Sequence, residues 1–183
     1  MVGRTQGERG RSKEQANKDL VRRYHDALDR GASDEVAQMW APDAVNHASG
    51  RYGSQQPRGR DAVRRVFEAL RTAFPDRRWQ IDDLIAKDEF VVCRVTVSGT
   101  FGVRPHRPPD PLPNGWVGVE STALIPPSAA GKPYSVKHIH IFRIADALIA
   151  EHWAARDDLA LLLQLGAIST PELEDPPARH PSA

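Results

Sequence analysis

The stretch VKHIHIFRIADALIAEHWAARDD, residues 136–158, contains two alternating runs of apolar and polar residues on either side of residues 145–147. Alternation with a period of two is typical of β-strands, and the short interruption predicts a β-hairpin. Because successive side chains of a strand point to opposite faces, His138, His140 and Phe142 are predicted to share one face of a sheet. The hairpin therefore concentrates imidazoles on one surface.

The register of this hairpin determines whether His152 joins that face. A three-residue loop at 145–147, with its third residue in the left-handed conformation, would set His140 opposite His152 and His138 opposite Ala154. A two-residue turn would instead place His140 and His152 on opposite faces. We predict the three-residue loop and a shared histidine face.

Three interpretations of the histidine face are open. Three imidazoles with one open position could bind zinc, although such ligands need converging nitrogens and usually a second shell of carboxylates. The imidazoles could also be hydrogen-bonded parts of a wall without chemistry. We favour a pocket wall that binds, or exchanges protons with, a small organic ligand, because histidine titrates near neutral pH.

The composition is that of one soluble globular domain. The chain has 183 residues, 40% hydrophobic and 27% charged, with a formal net charge of +1. This balance gives no general electrostatic attraction to nucleic acid or to acidic membranes. No apolar run approaches the ~18 residues of a membrane span, and the basic N-terminus lacks the apolar stretch of a secretory signal. The single cysteine, Cys93, suits a reducing compartment, so a cytoplasmic location is predicted.

Helical periodicity dominates the first half of the chain and strand alternation the second half. Helices are predicted over 14–30, after Ser33, over 60–74 and over 157–165, and strands over 44–48, 79–85, 89–101 and 116–125. Residues 1–13 and 169–183 are polar, charged or proline-rich and are expected to be disordered. Helices that precede a mostly antiparallel sheet predict an α+β domain over residues 14–168, with the helices on one face of a curved sheet.

Four segments resemble, in order, the SnoaL-like polyketide cyclases, also called ester cyclases, of the nuclear-transport-factor-2-like superfamily. They are NKDLVRRYHDAL, APDAVNHAS, GRDAVRRVFEALRTAFPD and HIHIFRIADALIAEHWAARDDLALLLQLGA. The resemblance implies a cone in which a curved, mostly antiparallel sheet, three N-terminal helices and a short C-terminal helix enclose a pocket. It also implies a small-molecule substrate and a homodimer formed through the sheet.

The resemblance further implies cofactor-free catalysis, with neither a metal nor an organic cofactor. An acidic residue of the family removes a proton next to a carbonyl group, and the carbanion closes a ring by an intramolecular aldol reaction. The family commonly reads EHWD, whereas this chain reads EHWA, so Ala154 stands at the position of that acidic residue. His140, His152, Asp157 and Asp158 are the candidates to take over the acid/base role, and His140, His152 and Asp158 are the ones we predict, although both aspartates could instead serve the start of a helix.

Substrate-binding residues are predicted around this acid/base group. They are side chains able to contact a flat ligand that carries polar groups: His47, Asn46, His138, Arg94, Trp153, Tyr24 and Phe142. Core packing is the alternative for the aromatic residues, and a structural ion pair is the alternative for Arg94. The segment GVRPHRPPDPLPNG, residues 102–115, has five prolines and is predicted to be a loop that could cover the site.

Three functions are consistent with these residues. The first is a cyclase relative that performs acid/base chemistry on a carbonyl compound. The second is a cone that binds a small molecule without catalysis, which Ala154 favours. The third is a hydrolase or isomerase on the same fold, because one fold can support many chemistries.

Overall fold

A computed structural model of the protein describes residues 6–47, 58–102 and 125–169. Almost all of the predicted proline-rich loop and of the strand at 116–125 therefore lies outside the described residues, as does most of the C-terminal tail. No helix within the described ranges is both long and apolar enough to cross a membrane.

Three helices lead the chain: α1 over Gln6–Arg30, α2 over Ser33–Gln38 and α3 over Arg60–Ala73. Gly31, with φ of 68°, ends α1 in the left-handed conformation that glycine adopts without a steric penalty. α1 begins at Gln6, eight residues before the predicted start at 14. These residues are polar and carry no apolar stripe, and helical periodicity therefore could not reveal them.

Five strands of the described chain form one sheet in the order β1-β5-β4-β3-β2. They are β1 over Trp40–Asn46, β2 over Arg78–Lys87, β3 over Phe90–Thr100, β4 over Pro133–Ala145 and β5 over Leu148–Arg156. β1 runs parallel to β5, and the other neighbouring strands are antiparallel. A last helix, α4 over Asp158–Leu165, follows β5. The predicted α+β class is confirmed.

The sheet has two chemically different surfaces. We call the surface that packs against α1 the inner face and the opposite surface the outer face. In β3, the alternating residues Val91, Cys93, Val95 and Val97 are fully buried in the inner core. The intervening residues, from Phe90 to Ser98, lie on the outer face and are exposed or half-buried. This division agrees with the predicted alternation.

The turn between β4 and β5 is shorter than predicted. Asp146 and Ala147 both have positive φ, 50° and 60°, and Ala145 pairs with Leu148. These are the features of a two-residue turn in which both central residues are left-handed. The predicted three-residue loop is therefore wrong.

A β-bulge next to the turn keeps the histidines together. The pairing changes register between Arg143 and Ile144, which leaves Ala150 as the extra residue of β5. Beyond the bulge, His140 pairs with Ala154 and Phe142 pairs with His152. The predicted partners are thus displaced by two residues, but a shift of two preserves the face of every side chain. A two-residue turn without the bulge would have separated the histidines.

Candidate functional site

Four histidines form one buried cluster between the inner face and α1. His138, His140 and His152 come from the hairpin and are 4%, 6% and 6% exposed. The fourth, His25, lies on α1, is 2% exposed, and places its ring 6.3 Å from the ring of His140. We name these four residues the histidine cluster. The predicted sharing of a face by the three hairpin histidines is confirmed.

Two of these imidazoles and one amide form a hydrogen-bonded chain. His152 Nδ1 lies 2.9 Å from Asn46 Oδ1, and His140 Nδ1 lies 2.8 Å from His152 Nε2. An amide oxygen only accepts hydrogen bonds, so His152 Nδ1 carries a proton and donates it. A neutral imidazole has one N–H, so His152 Nε2 accepts the hydrogen bond that His140 Nδ1–H donates. We name this chain, Asn46–His152–His140, the relay.

The hydrogen bonds of the relay determine the protonation state of His140 Nε2. Because His140 Nδ1 holds the proton of a neutral ring, His140 Nε2 carries a lone pair. This atom is buried and has no hydrogen-bond partner among the described residues. His25 has the same character, since its Nδ1–H donates to the carbonyl oxygen of Val21 at 2.8 Å and its Nε2 has no partner in the described chain. Buried lone pairs of this kind are rare in folded proteins and mark positions where a ligand can bind.

Burial keeps the histidine cluster neutral. It is the main cause that lowers the pKa of His138 and His152 to about 3 and that of His25 to about 4. The pKa of His140 also lies well below its usual value, because the ring is buried and because its imidazole neighbours disfavour a second charge. All four rings are therefore uncharged at neutral pH, as the proton assignment of the relay requires.

Aromatic packing fixes the ring planes of the relay. The rings of His140 and His152 stack at 5.1 Å with 9° between their planes, and Phe142 stacks on His152 at 4.8 Å. Tyr24 of α1 packs edge-on against Phe142 at 5.5 Å. Tyr24 and Phe142, two of the three predicted aromatic residues, thus lie beside the histidine cluster, where they hold the imidazoles in place.

The imidazole nitrogens of the relay do not converge on a common point. His140 Nδ1 and His152 Nε2 face each other at hydrogen-bond distance. Across the described ranges, no group of three or more His, Cys, Asp or Glu side chains is arranged to hold a metal ion.

Ala154 is the nearest cross-strand neighbour of His140. The two residues pair directly between β4 and β5, so their Cβ atoms are expected about 4.5–5.5 Å apart. A carboxylate at position 154 would lie against His140, whereas alanine leaves the imidazole without an anionic partner. Ala154, which replaces the family aspartate, therefore lies opposite His140. The prediction that it lies opposite His138 is wrong.

His47 and Trp153 lie on the outer face, away from the histidine cluster. Asn46 points inward, so its neighbour His47 points outward. His47 Nε2 lies 2.9 Å from a carboxylate oxygen of Glu151, and its ring stacks on Trp153 at 4.7 Å. The predicted position of these two residues in the pocket is wrong, because alternation admits only one residue of each adjacent pair.

Arg94 is also on the outer face. Its guanidinium donates to Asp83 at 2.7 Å and to Asp82 at 3.1 Å. The ion-pair alternative is therefore the one that the structure shows, and the predicted contact with a ligand in the inner pocket is wrong.

Asp158 is at the edge of the histidine cluster. Its carboxylate accepts a hydrogen bond from Arg156 at 3.0 Å, and Arg156 pairs with His138 across the hairpin. The capping residue of α4 is Asp157, whose side chain accepts from the amide of Ala160 at 2.9 Å. Among the described residues, Asp158 makes no hydrogen bond to an imidazole.

The sequence analysis missed three residues of the site. His25 follows Val21 by four positions on the buried stripe of α1, and that spacing could have found it. Trp79 lies within 5.9 Å of His25, His138 and His140, ring to ring. Arg77 stands in the turn before β2 and stacks over Trp79; no periodic pattern in the sequence could have placed it.

Comparisons with known proteins agree with this geometry. The sequence profile of the SnoaL-like polyketide cyclase family matches residues 18–165. No curated protein matches the chain.

Solved structures share the fold. TsrD of Streptomyces laurentii is 26% identical, with a TM-score of 0.64 over 84% of this chain and 97% of that one. AclR of Streptomyces galilaeus is 22% identical, with a TM-score of 0.65 over 87% of both chains. IdmH of Streptomyces antibioticus is 24% identical, with a TM-score of 0.61 over 82% of this chain and 98% of that one. The fold is the nuclear-transport-factor-2-like cone, and the chain belongs to the SnoaL-like polyketide cyclase family.

Proposed function

We propose that the protein catalyses cofactor-free proton transfer at a carbon next to a carbonyl group, with His140 Nε2 as the general base. The observation that carries this proposal is the unpartnered lone pair of that atom at the end of the relay. Membership of the SnoaL-like polyketide cyclase family supports the substrate class, a small carbonyl compound.

The relay supports each step of an aldol-type reaction. His140 Nε2 takes the proton from the carbon, and the electron pair of the C–H bond forms the enolate. The resulting imidazolium is stabilised because His140 Nδ1–H donates to His152, which in turn donates to Asn46 Oδ1. The carbanion then attacks a second carbonyl of the same molecule, and the alkoxide recovers the proton from His140 Nε2–H. Atoms and charges balance without any further reactant.

The hydrogen bonds of the relay favour this role for His140 over His152. Both nitrogens of His152 are engaged in the relay, so that ring can hold and polarise His140 but has no free lone pair. We therefore assign His140 as the base and His152 and Asn46 as positioning residues.

The test is exchange of the carbon-bound proton in D2O with an aryl ketone such as 1-tetralone, followed by NMR. We expect the wild-type protein to accelerate deuterium incorporation next to the carbonyl, and His140→Gln to lose about 10²–10⁴-fold of that acceleration. His47→Gln, a histidine on the outer face, is the matched control and should exchange at the wild-type rate. A His140→Gln variant that exchanges as fast as wild type would defeat the assignment.

A second function, ligand binding without catalysis, is favoured by Ala154. An alanine beside His140 supplies no carboxylate to stabilise the imidazolium. This alternative predicts that 1-tetralone binds without exchange in the wild-type protein, and that Ala154→Asp creates exchange. Exchange by the wild-type protein that depends on His140 would eliminate it.

We also propose that the protein is a homodimer formed through the outer face. Ile139 and Phe90 are 46% and 40% exposed there, and Asp82 lies beside Arg94 and Lys137. An apolar surface with neighbouring charges of both signs can complement a second copy of itself. Ile139→Lys should shift the mass measured by light scattering from dimer to monomer. Leu159→Lys, at an exposed apolar position on α4, is the control; a monomeric wild-type protein would contradict the proposal.

We also propose that the protein resides in the cytoplasm. Cys93 is a free, buried thiol, which suits a reducing compartment. Cell fractionation of the native host, with the protein detected by antibody, should recover it with cytosolic markers; recovery with a secreted fraction would contradict this.

A further inference from the structure

A second feature of the interior is a guanidinium that has no anionic partner of its own. Arg77 lies in the turn between α3 and β2; its backbone amide donates to the carbonyl oxygen of Phe74, but its side chain makes neither a hydrogen bond nor an ion pair with the described residues. Its Nε is buried without a partner. Its Cζ lies 4.6 Å from the ring centre of Trp79 and 5.2 Å from that of Phe74. The two rings hold the plane of the guanidinium but supply no acceptor oxygen.

The charges around Arg77 leave an excess of positive charge. Arg156 and Asp158 are the charged side chains whose fields act on it most strongly, beside the hydroxyl of Tyr134. The carboxylate of Asp158 is already engaged by Arg156 at 3.0 Å. Arg77 and Arg156 therefore lie in the field of the same single carboxylate. Burial is the main cause that lowers the pKa of Arg77. Arg77 is half-buried, and its Nε–H is buried without an acceptor. A buried donor without a partner is costly, and an anion that accepts from the guanidinium would recover part of that cost.

A cavity opens beside this guanidinium. It has a volume of about 80 Å³, several times the roughly 10–15 Å³ that one water molecule needs on the same kind of measure. Arg77, Phe74, Phe67, Leu70 and Trp79 are among its lining residues. Three charged side chains besides Arg77 also line it: Arg30, which is paired with Glu35, Arg71, which donates to the carbonyl oxygen of Gly31, and Asp29, which accepts from the amide of Trp79. The cavity thus combines aromatic and aliphatic side chains with more cations than anions, which suits a planar apolar group that ends in a carboxylate.

Trp79 connects the cavity with the histidine cluster. One side of its indole carries Arg77, and the ring centres of His138 and His140 lie 5.9 and 5.5 Å from it. Trp79 therefore borders both the cavity and the histidine cluster, although none of the cluster histidines lines the cavity.

We propose that Arg77 is an anion-binding residue that recognises the carboxylate of an aromatic ligand in this cavity. The identification of that ligand as the substrate rests on the proposed function, whereas the binding of the carboxylate does not. Arginine suits the task because its planar fork can give two parallel hydrogen bonds to one carboxylate, which a lysine cannot.

The experiment compares benzoate with benzamide, two planar probes of nearly equal shape that differ in charge. Each is titrated into ¹⁵N-labelled protein, and the indole resonance of Trp79, assigned with Trp79→Phe, is followed by NMR. We expect benzoate to bind at least about tenfold more tightly than benzamide, as a charge-assisted pair provides. Arg77→Met should abolish this preference, and Arg77→Lys should reduce it.

Two controls separate this proposal from the others. Arg94→Met removes an arginine of the outer face and should leave the preference unchanged. His140→Gln should lose proton exchange but keep the preference, so the failure of one proposal does not hide the other. Thermal unfolding of Arg77→Met and Arg77→Lys establishes that both fold. Equal binding of the two probes, absence of binding by benzoate, or a preference that survives in a folded Arg77→Met would each overturn the proposal.

Discussion

Asn46 and His47 are neighbours in β1, yet they belong to opposite chemical environments. Asn46 points inward and accepts from His152 at 2.9 Å, within a cluster whose rings are all buried. His47 points outward and meets the carboxylate of Glu151 at the same distance. Each of these two hydrogen bonds involves one imidazole, but only the outer imidazole, that of His47, is bonded to a carboxylate. The inner face holds neutral histidines with unused lone pairs, whereas on the outer face carboxylates accept from His47 and Arg94.

This difference shows that the two faces of one sheet satisfy their polar groups in different ways. On the outer face, Arg94 and Lys137 are satisfied by Asp82 and Asp83 in contact with solvent. On the inner face, the polar atoms are satisfied only in part, and the remaining lone pairs cost stability. Such a cost is retained where a ligand can later complete the hydrogen bonds.

The largest expected effect is a loss of folding stability in acid, caused by the histidines of the inner face. The pKa of each cluster histidine is lower in the folded protein, about 3 for His138 and His152 and about 4 for His25, than the usual value near 6.5 in the unfolded chain. The unfolded state therefore binds more protons, and stability falls as the pH drops below about 6.5 until the folded pKa is reached. Each histidine should cost about 2 kcal/mol between pH 7 and pH 5.

Urea unfolding at pH 7, 6 and 5 measures this loss. His138→Gln should flatten the pH dependence relative to the wild-type protein. A pH dependence that is the same in both proteins would show that the inner histidines are not held neutral.

Replacement of Ala154 by aspartate should make the inner face resemble the outer one. The new carboxylate would lie beside His140 and raise the pKa of that ring, since an opposite charge at short distance favours the imidazolium. Ala155→Asp, one residue along on the outer face, is the matched control and should leave His140 unaffected. The measurement is an NMR titration of the His140 ring; an unchanged pKa in Ala154→Asp would contradict the pairing of residues 140 and 154.

Removal of the acceptor at the head of the relay should cost about 1–3 kcal/mol. Asn46→Leu leaves the N–H of His152 buried without a partner, and that desolvation is unfavourable. Asn46→Asp keeps an oxygen acceptor and should recover the hydrogen bond. Urea unfolding at pH 7 compares the two variants, and equal stability of Asn46→Leu and wild type would show that this hydrogen bond does not hold the relay.

The corresponding change on the outer face should have the smallest effect. Glu151→Gln weakens the contacts with His47 and Arg143, which are partly exposed, so the free energy of unfolding should fall by about 1 kcal/mol or less. The difference should shrink further in high salt. Unfolding in low and high salt measures it, and a loss as large as that of Asn46→Leu would erase the distinction between the two faces.

Alternation in the sequence predicted the inner face but not its pairing. Residues two apart share a face whatever the register, and His138, His140 and His152 could therefore be grouped correctly. Their partners depended on a two-residue turn together with the bulge at Ala150, and both are set by backbone geometry that apolar patterning does not encode.

The errors in the site have a similar cause. Arg94 and His47 each adjoin a residue of the inner face, so consistent alternation would have placed them outside. Arg77 lies in a turn, where no period applies, and only the folded chain brings it against Trp79. The resemblance to a family identified the fold and the unusual alanine, but not the residue against which that alanine lies.

The central claim is that the relay leaves a lone pair on His140 Nε2. The direct measurement is long-range ¹H–¹⁵N NMR of the histidine rings at pH 7, with His140 and His152 assigned by substitution. The relay predicts that both rings are neutral, that both carry the proton on Nδ1, and that Nε2 is unprotonated in each. A proton on Nε2 of His140, in either a neutral ring or an imidazolium, would contradict it.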